Sequence, residues 1–407
     1  MSNRPWLGFS FGFVLVLVLC APALAQTQAD QIARTQQVMS AQCGNTASDQ
    51  TLGTTSCAIG GGGQQAQNAL TVSPREETAA SSTATQTTDT QVSAEADRLE
   101  KARLEAETKA PRMGGFLTGS GGWGKVDARA EAEDYDVWGG GVQAGIDYRL
   151  SDVLVAGFGF GWNRQNTEFD DQSAADGSGI KIGGGEIESD AYTPSLYASF
   201  FSGPFHADAI FSYTYLDYSF DRPVVLLDTG NDVFATAHGD TDAHQIGTSV
   251  NFGYQFQTGG LAAGPLVGLD YRQTWIDGYR EHGVPGFPLQ YKDQEIVSVV
   301  TSLGGEAAYA ISTGIGVISP HLRITWEHEF ENDARNINAR LFLNTDPTLQ
   351  DTLVSRTDHP DRDYGRLGAG VSAQLAHGIS AFVDYDTLID LRDVEQHRFT
   401  AGGRIEF

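Results

Sequence analysis

Residues 114–407 alternate between apolar and polar side chains with a period of two, and this alternation constrains the fold more than any other feature of the sequence. A period of two places apolar side chains on one face of a strand and polar ones on the other, whereas an amphipathic helix needs a period near 3.6. The pattern predicts twelve strands, at residues 142–150, 153–163, 205–215, 245–256, 318–327 and 398–407 and near residues 114–125, 190–200, 261–276, 295–311, 364–376 and 379–389.

The connections between these strands alternate between short and long. Tight turns are expected at 151–152, 202–204, 258–260, 312–314 and 377–378, and long polar segments at 169–186, 221–240, 277–294 and 331–362. Bacterial outer-membrane barrels have short periplasmic turns, long outer loops and aromatic residues near the ends of their strands. Such positions are held by Trp123, Trp162, Tyr215, Trp275 and Trp326. We therefore predict an all-β fold, a twelve-stranded antiparallel transmembrane β-barrel; a soluble β-sandwich, the alternative, does not require such long hairpins.

The composition excludes some classes of function. The chain has 26 Lys and Arg against 52 Asp and Glu, a formal net charge of −26, whereas nucleic-acid binding needs a basic surface. No familiar hydrolase, metalloprotease or nucleotide-binding motif is present. The run GFGFG at 157–161 lies in a predicted strand, where its glycines make room in the lumen. We predict no catalytic residues, no metal site, no cofactor and no enzymatic activity.

Residues 1–25 have the pattern of a secretory signal peptide. Arg4 supplies a positive charge, residues 11–19 are almost wholly apolar, and Ala-Leu-Ala at 23–25 is a small-x-small cleavage site. We expect cleavage before Gln26 and export from the cytoplasm. A retained signal anchor is the alternative.

Residues 26–92 form a low-complexity segment that is rich in Gln, Ser, Thr, Ala and Gly. It buries too little apolar surface to offset the loss of chain entropy, so we predict that it is disordered. Cys43 and Cys57 remain once Cys20 is removed with the signal. In an oxidising compartment an even cysteine count favours one disulfide, with two unpaired thiols as the alternative.

Residues 93–113 contain a predicted helix and a linker, because strong helix formers run from Ser93 to a stop at Pro111. The helix over 93–110 would span about 27 Å and has few bulky apolar residues, so it suits a polar pore. We predict that Arg98, Glu100, Lys101 and Arg103 pair there with lumenal charges and plug the pore; a solvated helix is the alternative. The predicted lumenal charges are Arg149, Arg272, Arg323, Arg366, Arg398, Arg404, Asp147, Asp270, Glu306 and Glu327.

Two groups of polar residues in the predicted loops could have a chemical function. His238 lies near Asp240 and Asp242, and His359 near Asp358 and Asp361; such pairs can activate a water molecule. The segment 168–190 is rich in acidic residues that could bind divalent cations and bridge to lipopolysaccharide. We favour the simpler interpretation that both are solvated acidic loops.

Several stretches resemble the β-domain of bacterial autotransporters, the type V secretion family. They include GGVQAGIDYRLSDVLVAGFGFGW (140–162), GPLVGLDYRQTWIDGYREHG (264–283), DRDYGRLGAGVSAQLAHGISAFVDYDTL (361–388) and the segments 195–218 and 326–335. The resemblance covers nearly all of 114–407. It implies a twelve-stranded barrel in the bacterial outer membrane with a helix threaded through its pore. The implied partners are outer-membrane lipid, lipopolysaccharide, periplasmic chaperones and the barrel-assembly machinery.

The last strand carries a second element of this resemblance. Phe399, Ala401, Ile405 and Phe407 share one face, and the chain ends at Phe407. In the family, a last strand ending in Phe resembles the signal that the barrel-assembly machinery reads. The alternative is an ordinary edge strand facing lipid.

The predicted function is insertion into the outer membrane with exposure or translocation of the chain's own N-terminal segment. Residues 26–92 are expected to be a short passenger, since no β-helix repeat, esterase or protease segment fits there. Some members of the family that the chain resembles cut themselves at an Asn pair within the pore helix. Residues 93–113 contain no Asn, so no such cleavage is expected. The alternatives are a structural or pore-forming barrel or adhesin that keeps this segment in the periplasm, and a surface hydrolase using loop His and Asp residues.

Overall fold

The structure is a computed structural model. It describes residues 30–31, 34, 37–38, 79–80, 113–127, 134–173, 181–182, 184–226, 233–284, 288–331, 333–342, 352–357 and 361–407. Within these ranges, no helix is long and apolar enough to cross a membrane.

Twelve long antiparallel strands form a closed barrel, as the alternation predicts. The strands are β1 (Met113–Val126), β2 (Tyr135–Ser151), β3 (Leu154–Phe169), β4 (Glu186–Ser202), β5 (Phe205–Leu226), β6 (Val233–Tyr254), β7 (Leu261–Ile276), β8 (Gln294–Tyr309), β9 (Gly316–Glu329), β10 (Asp363–Leu375), β11 (Ile379–Ile389) and β12 (Val394–Glu406). Each pairs with its neighbours in sequence, and β1 pairs with β12 to close the barrel. The short strands Phe256–Thr258 and Ile311–Thr313 continue β6 and β8 to their turns.

The two faces of the barrel wall have opposite polarity. On β3, the outward Phe158 and Phe160 are 46% and 47% exposed, whereas the inward Asn163 is 3% exposed. The same alternation runs along the neighbouring strands, so most exposed large side chains are apolar and the lumen is lined by polar ones. This arrangement is the reverse of a water-soluble protein and is typical of a barrel surrounded by lipid.

The two ends of the barrel differ in the length of their connections. At one end the turns are short; Gly203 and Gly259 adopt left-handed φ values of 57° and 60° there, which glycine allows without strain. The amide of Phe407 donates a hydrogen bond to the carbonyl of Met113 at 3.0 Å, so β1 begins and β12 ends at this short-turn end. The long connections lie at the opposite end, the long-loop end.

The strands at the long-loop end are longer than the sequence pattern indicates. β5 and β6 have 22 residues each and occupy much of the segment 221–240 that was predicted as a loop. Similarly, β3 continues to Phe169 and β4 begins at Glu186, so the acidic segment 168–190 lies partly in strands. The reason is that β5 keeps its period of two, with Tyr218, Phe220 and Val224 buried.

The predicted loops 277–294 and 331–362 also contain strands. Leu289–Tyr291, Asn336–Leu341 and Thr352–Arg356 form a separate three-stranded antiparallel sheet, the loop sheet. An isolated β-bridge between His238 and His282 places the segment 277–294 beside the long-loop end of β6.

The N-terminal region is described at seven positions. Asp30, Gln31, Arg34, Gln37, Val38, Ala79 and Ala80 have helical geometry, and four of these are buried. The prediction of disorder over 26–92 stays a prediction, because most of that segment lies outside the described residues. The predicted signal at 1–25, Cys43, Cys57 and the predicted pore helix with Arg98, Glu100, Lys101 and Arg103 lie outside the described residues.

Candidate functional site: the lumen and the long-loop mouth

A bidentate ion pair on the lumenal wall spans three adjacent strands. Arg404 Nη2 and Nε on β12 donate to the carboxylate of Asp147 on β2 at 2.7 and 3.2 Å. The guanidinium passes over Gly114 of β1, where an added Cβ would lie 2.4 Å from Arg404 Nη2. Because Gly114 has no side chain, Arg404 on β12 can reach Asp147 on β2 across β1.

Other lumenal charges also find partners, either on the adjacent strand or on the next strand but one. Because charged groups at membrane depth need polar partners, these pairs explain how the lumen carries charge. The pairs are Arg366 Nε with Glu327 Oε1 at 2.8 Å, Arg398 Nη2 with Asp386 Oδ2 at 3.0 Å, His321 Nε2 with Asp384 Oδ1 at 2.5 Å, and Gln255 Nε2 with Glu306 Oε1 at 2.8 Å. Pairing with the predicted pore helix stays a prediction, since that helix lies outside the described residues.

An aromatic cluster packs on glycines in the lumenal wall. The Tyr197 hydroxyl donates to the Ile146 carbonyl at 2.9 Å, and its ring is in edge contact with Phe116. A Cβ at Gly157 would lie 2.2 Å from the Tyr197 hydroxyl oxygen. Gly157 of the GFGFG run therefore makes room for a lumenal side chain, as expected from the sequence.

Above the polar lumen, the long-loop end encloses an apolar core, which we call the mouth. It is formed by the inner face of the tall β5–β6 hairpin, by the upper ends of neighbouring strands and by the loop sheet. Its buried members include Leu216, Tyr218, Phe220, Val224, Ala237, Ile276, Tyr279, Leu289, Tyr291, Ile337, Leu341 and Leu353. Phe220, Tyr279 and Tyr291 stack in series with centroids 5.0 and 4.6 Å apart.

A buried ion pair fastens the long connection after β7 to the tall hairpin. Arg222 Nε and Nη2 donate to the two carboxylate oxygens of Glu281 at 2.8 and 2.6 Å, and both residues are 3% exposed. Glu281 also accepts the Leu289 amide at 2.8 Å and the Tyr291 hydroxyl at 3.2 Å. These extra bonds offset the cost of removing two charges from water.

The N-terminal residues complete the core of the mouth. Gln31 Nε2 donates to the Val354 carbonyl at 3.1 Å and to Ser355 Oγ at 3.3 Å, both on the loop sheet. The Tyr218 hydroxyl on β5 donates to the Ala80 carbonyl at 3.4 Å. Val38, Ala79 and Ala80 are 2%, 1% and 0% exposed.

An aromatic row encircles part of the outer surface below the mouth. The register aligns Trp162, Tyr192, Tyr215, His244 and Trp275 side by side on β3 to β7. The next outward positions toward the mouth include the directly paired Asp190, Asp217 and Asp242. Since an aromatic girdle marks the membrane interface, these carboxylates lie above it, outside the membrane-spanning part of the strands.

Two carboxylates above the girdle have raised pKa values. Partial burial, followed by the neighbouring charges of Asp242, Asp190 and Asp240, raises the pKa of Asp217. Partial burial, followed by the charges of Glu188, Glu168 and Asp221, raises the pKa of Glu186. The carboxylates just above the girdle, which we call the acidic rim, therefore repel one another.

In the structure, His238 and Asp242, which lie close together in sequence, each contact another residue. His238 Nδ1 contacts Asp221 Oδ1 at 2.5 Å, and Asp242 accepts a hydrogen bond from the Tyr215 hydroxyl at 2.6 Å. Asp358 and His359 lie outside the described residues. Among the His, Cys, Asp and Glu side chains within the described ranges, no group of three or more is arranged to hold a metal ion.

The four residues of the predicted assembly signal lie on the outward face of β12. Phe399, Ile405 and Phe407 are 46%, 50% and 63% exposed, and Ala401 is also exposed. The shared face is as expected from the sequence. Its role as an assembly signal stays a prediction.

Comparison with known proteins identifies the family. Residues 115–386 match the family described as Autotransporter beta-domain. The chain belongs to this family. The translocator domain of autotransporter NalP from Neisseria meningitidis has a similar fold, with a TM-score of 0.57 at 14% identity over 79% of this chain and 98% of that one. The autotransporter barrel is thus an outer-membrane protein of type V secretion, and its short-turn end is the periplasmic end.

Curated relatives of this autotransporter barrel include two named hydrolases. Esterase EstA from Pseudomonas aeruginosa is 27% identical over 269 residues, which cover 65% of this chain and 38% of the relative. Lipase 1 from Photorhabdus luminescens is 22% identical over 262 residues, covering 63% and 36%. The chain thus spans less than two fifths of each relative's length.

These relatives contradict the prediction of a chain without enzymatic activity. That prediction relied on the lack of familiar catalytic motifs. Two relatives that match this chain are named an esterase and a lipase, so the missing motifs do not exclude an activity. The prediction was wrong because a motif search tests only the motifs that it includes.

Proposed function

We propose that this autotransporter barrel carries its own N-terminal segment through the lumen and holds it at the outer face of the membrane. One observation carries the proposal: the two described ends of the connecting chain lie at opposite ends of the barrel. Ala80 contacts Tyr218 at the mouth, whereas Met113 bonds Phe407 at the periplasmic end.

The length and polarity of the connecting chain support a path through the lumen. Tyr218 lies 13 residues along β5 from its periplasmic end at Phe205, which is about 33 Å along the barrel axis for a tilted strand. The 33 residue steps from Ala80 to Met113 reach about 50 Å even if fully helical. The run SSTATQTTDTQVS at 81–93 is too polar to cross lipid outside the barrel.

The partners follow from the same proposal. Outer-membrane lipid and lipopolysaccharide contact the outward apolar belt and the girdle. Periplasmic chaperones hold the chain before insertion, and the barrel-assembly machinery pairs with β12 through the face of Phe399, Ala401, Ile405 and Phe407. Before β12 pairs with β1, its free edge is a suitable substrate for such strand addition.

Protease treatment of intact cells tests the proposal. An epitope tag near Gly61 is expected to be cleaved without outer-membrane rupture. The matched control carries the tag at Gly259, in a short periplasmic turn with open space around it, and is expected to resist protease until the membrane is opened. Protection of the Gly61 tag in intact cells would instead favour a barrel that keeps this segment in the periplasm.

Ester hydrolysis is a second candidate function, favoured by the names of two relatives. The measurement is hydrolysis of short- and long-chain nitrophenyl esters by the purified full chain. Activity above that of a barrel without residues 26–92 would assign the activity to the N-terminal segment. Equal activity in both would assign it to the barrel, and no turnover in either would exclude these substrates.

A further inference from the structure

We infer that the mouth is a receptor for a part of the chain's own N-terminal segment that includes residues 30–31, 34, 37–38 and 79–80, which dock there and cover it from outside. The inference rests on the proposed function, because the segment reaches the mouth only after crossing the lumen. It goes further by naming the occupant of the mouth and by requiring that the segment stays bound.

The change in polarity along the inner wall of β5 is the first argument. Within the membrane this wall is polar, with Ser212 and Thr214 at 1% and 0% exposed. Beyond the girdle it becomes apolar, with Leu216 and Tyr218 both at 0%. A water-filled channel gains nothing from apolar lining, whereas a docking surface does.

The hydrogen bonds supply the second argument, because they come from two separate walls of the mouth. The loop sheet receives the Gln31 amide, and β5 donates to the Ala80 carbonyl. The two contacts join residues 323 and 138 positions apart in sequence. The N-terminal residues therefore bridge the tall hairpin and the loop sheet.

The burial of the helical residues supplies the third argument. Gln31 and Val38 are buried and Arg34 is partly buried, whereas Asp30 and Gln37 are exposed. Positions 31, 34 and 38 share one face of a helix, since a turn takes 3.6 residues. One face rests on the mouth and the other faces solvent, as expected for a docked helical segment.

Cross-linking in cells tests the docking directly. The parent is the full chain with Cys20, Cys43 and Cys57, its three cysteines, replaced by serine. Gln31→Cys with Ser355→Cys is expected to be joined by a short bismaleimide cross-linker, which spans the gap left because cysteine is shorter than glutamine. The control pair, Gln31→Cys with Ser372→Cys, places the second thiol in the lumenal wall near the periplasmic end of β10 and is expected to stay unlinked. Cross-linking to position 372 instead would overturn the inference.

Accessibility of the mouth provides an independent readout. Ser355 is 2% exposed, so Ser355→Cys alone should react slowly with a membrane-impermeant maleimide on intact cells. Val38→Asp buries an unpaired carboxylate and should speed this reaction at least about tenfold. Gln37→Asp, on the exposed face, should leave it unchanged. Equal rates in all three chains would overturn the inference.

These outcomes are separable from failure of the proposed function. Docking would be refuted, with surface exposure left intact, by three results together. The tag near Gly61 would be open to protease, positions 31 and 355 would not cross-link, and the cysteine at position 355 would be labelled rapidly. A protected tag would refute exposure itself, and with it the docking from outside.

Discussion

Arg404 and Asp147 form a bidentate ion pair across the strand that lies between them. The pair joins β12 to β2 over Gly114 of β1, at 2.7 and 3.2 Å, so it ties the closing seam of the barrel from the inside. Both side chains are at least nine-tenths buried. The pair thus adds a buried side-chain contact to the backbone ladder that joins β1 and β12.

Asp147→Ala should destabilise this seam, because it removes the bidentate partner of the buried Arg404 and leaves that charge with the single contact to Glu406. A buried charge left with no partner costs about 3–5 kcal/mol, so the loss expected here, with Glu406 still in contact, lies below that range. The measurement is the temperature at which the folded barrel converts to the unfolded band on a gel. Asp152→Ala, at an exposed turn position, is the control and should match the parent; an equal shift in both variants would refute a special role for the pair.

Gly157→Ala should hinder packing of the lumenal aromatic cluster, since the added methyl would lie 2.2 Å from the Tyr197 hydroxyl oxygen. Overpacking of this kind costs about 1–3 kcal/mol. The check is the unfolding temperature together with the rate of barrel formation after refolding. Gly119→Ala, whose Cβ would meet its nearest atom at 3.9 Å, is the matched control. Normal stability of Gly157→Ala would mean that the cluster adjusts freely.

Arg222→Ala should release the connection after β7 from the tall hairpin, because Glu281 would keep a buried charge without its cation. The expected result is new protease cleavage within 277–294 on intact cells while the barrel stays folded. Lys292→Ala removes an exposed charge from the same connection and should not be cleaved. Resistance of Arg222→Ala to cleavage would show that the connection is held by other contacts.

The acidic rim predicts an unusual response to pH. The pKa of Asp217 is raised in the folded protein by partial burial and neighbouring carboxylates, so folding favours its protonated form. Its unfavourable contribution to stability is therefore full above the folded pKa and fades as the pH falls through that value.

Asp217→Asn should accordingly raise the unfolding temperature at pH 7 and reduce the gain in stability that the parent shows on mild acidification. Asp277→Asn, at the exposed residue after β7, serves as a comparison that retains the Asp190–Asp217–Asp242 row. A lower unfolding temperature for Asp217→Asn at pH 7 would contradict the proposed repulsion.

The barrel was predictable because each strand residue faces one of two contrasting surroundings. Phe158 and Asn163 reveal their faces by polarity alone, and the outward face of Phe399 and Phe407 follows from the same rule. The lumenal positions of Asp147 and Arg404 were also predictable, although their pairing over Gly114 depends on which strands close the barrel.

The mouth was not predictable from local pattern. Arg222 and Glu281 are 59 residues apart, and each looks like an ordinary loop charge in sequence. The burial of Val38 and Ala80 depends on distant strands, so a composition typical of disorder hid it. Tyr218, Phe220 and Val224 lie an even number of residues apart, and this continued period of two was the signal in the sequence that β5 extends beyond the membrane.

Antibody labelling of intact cells at two inserted tags tests surface exposure most directly. Barrels with the tag near Gly61 should be labelled as strongly in intact cells as in permeabilised cells, whereas barrels with the tag at Gly259 should be labelled only after permeabilisation. Labelling of the Gly61 tag only after permeabilisation would contradict the claim that this autotransporter barrel presents its N-terminal segment at the cell surface.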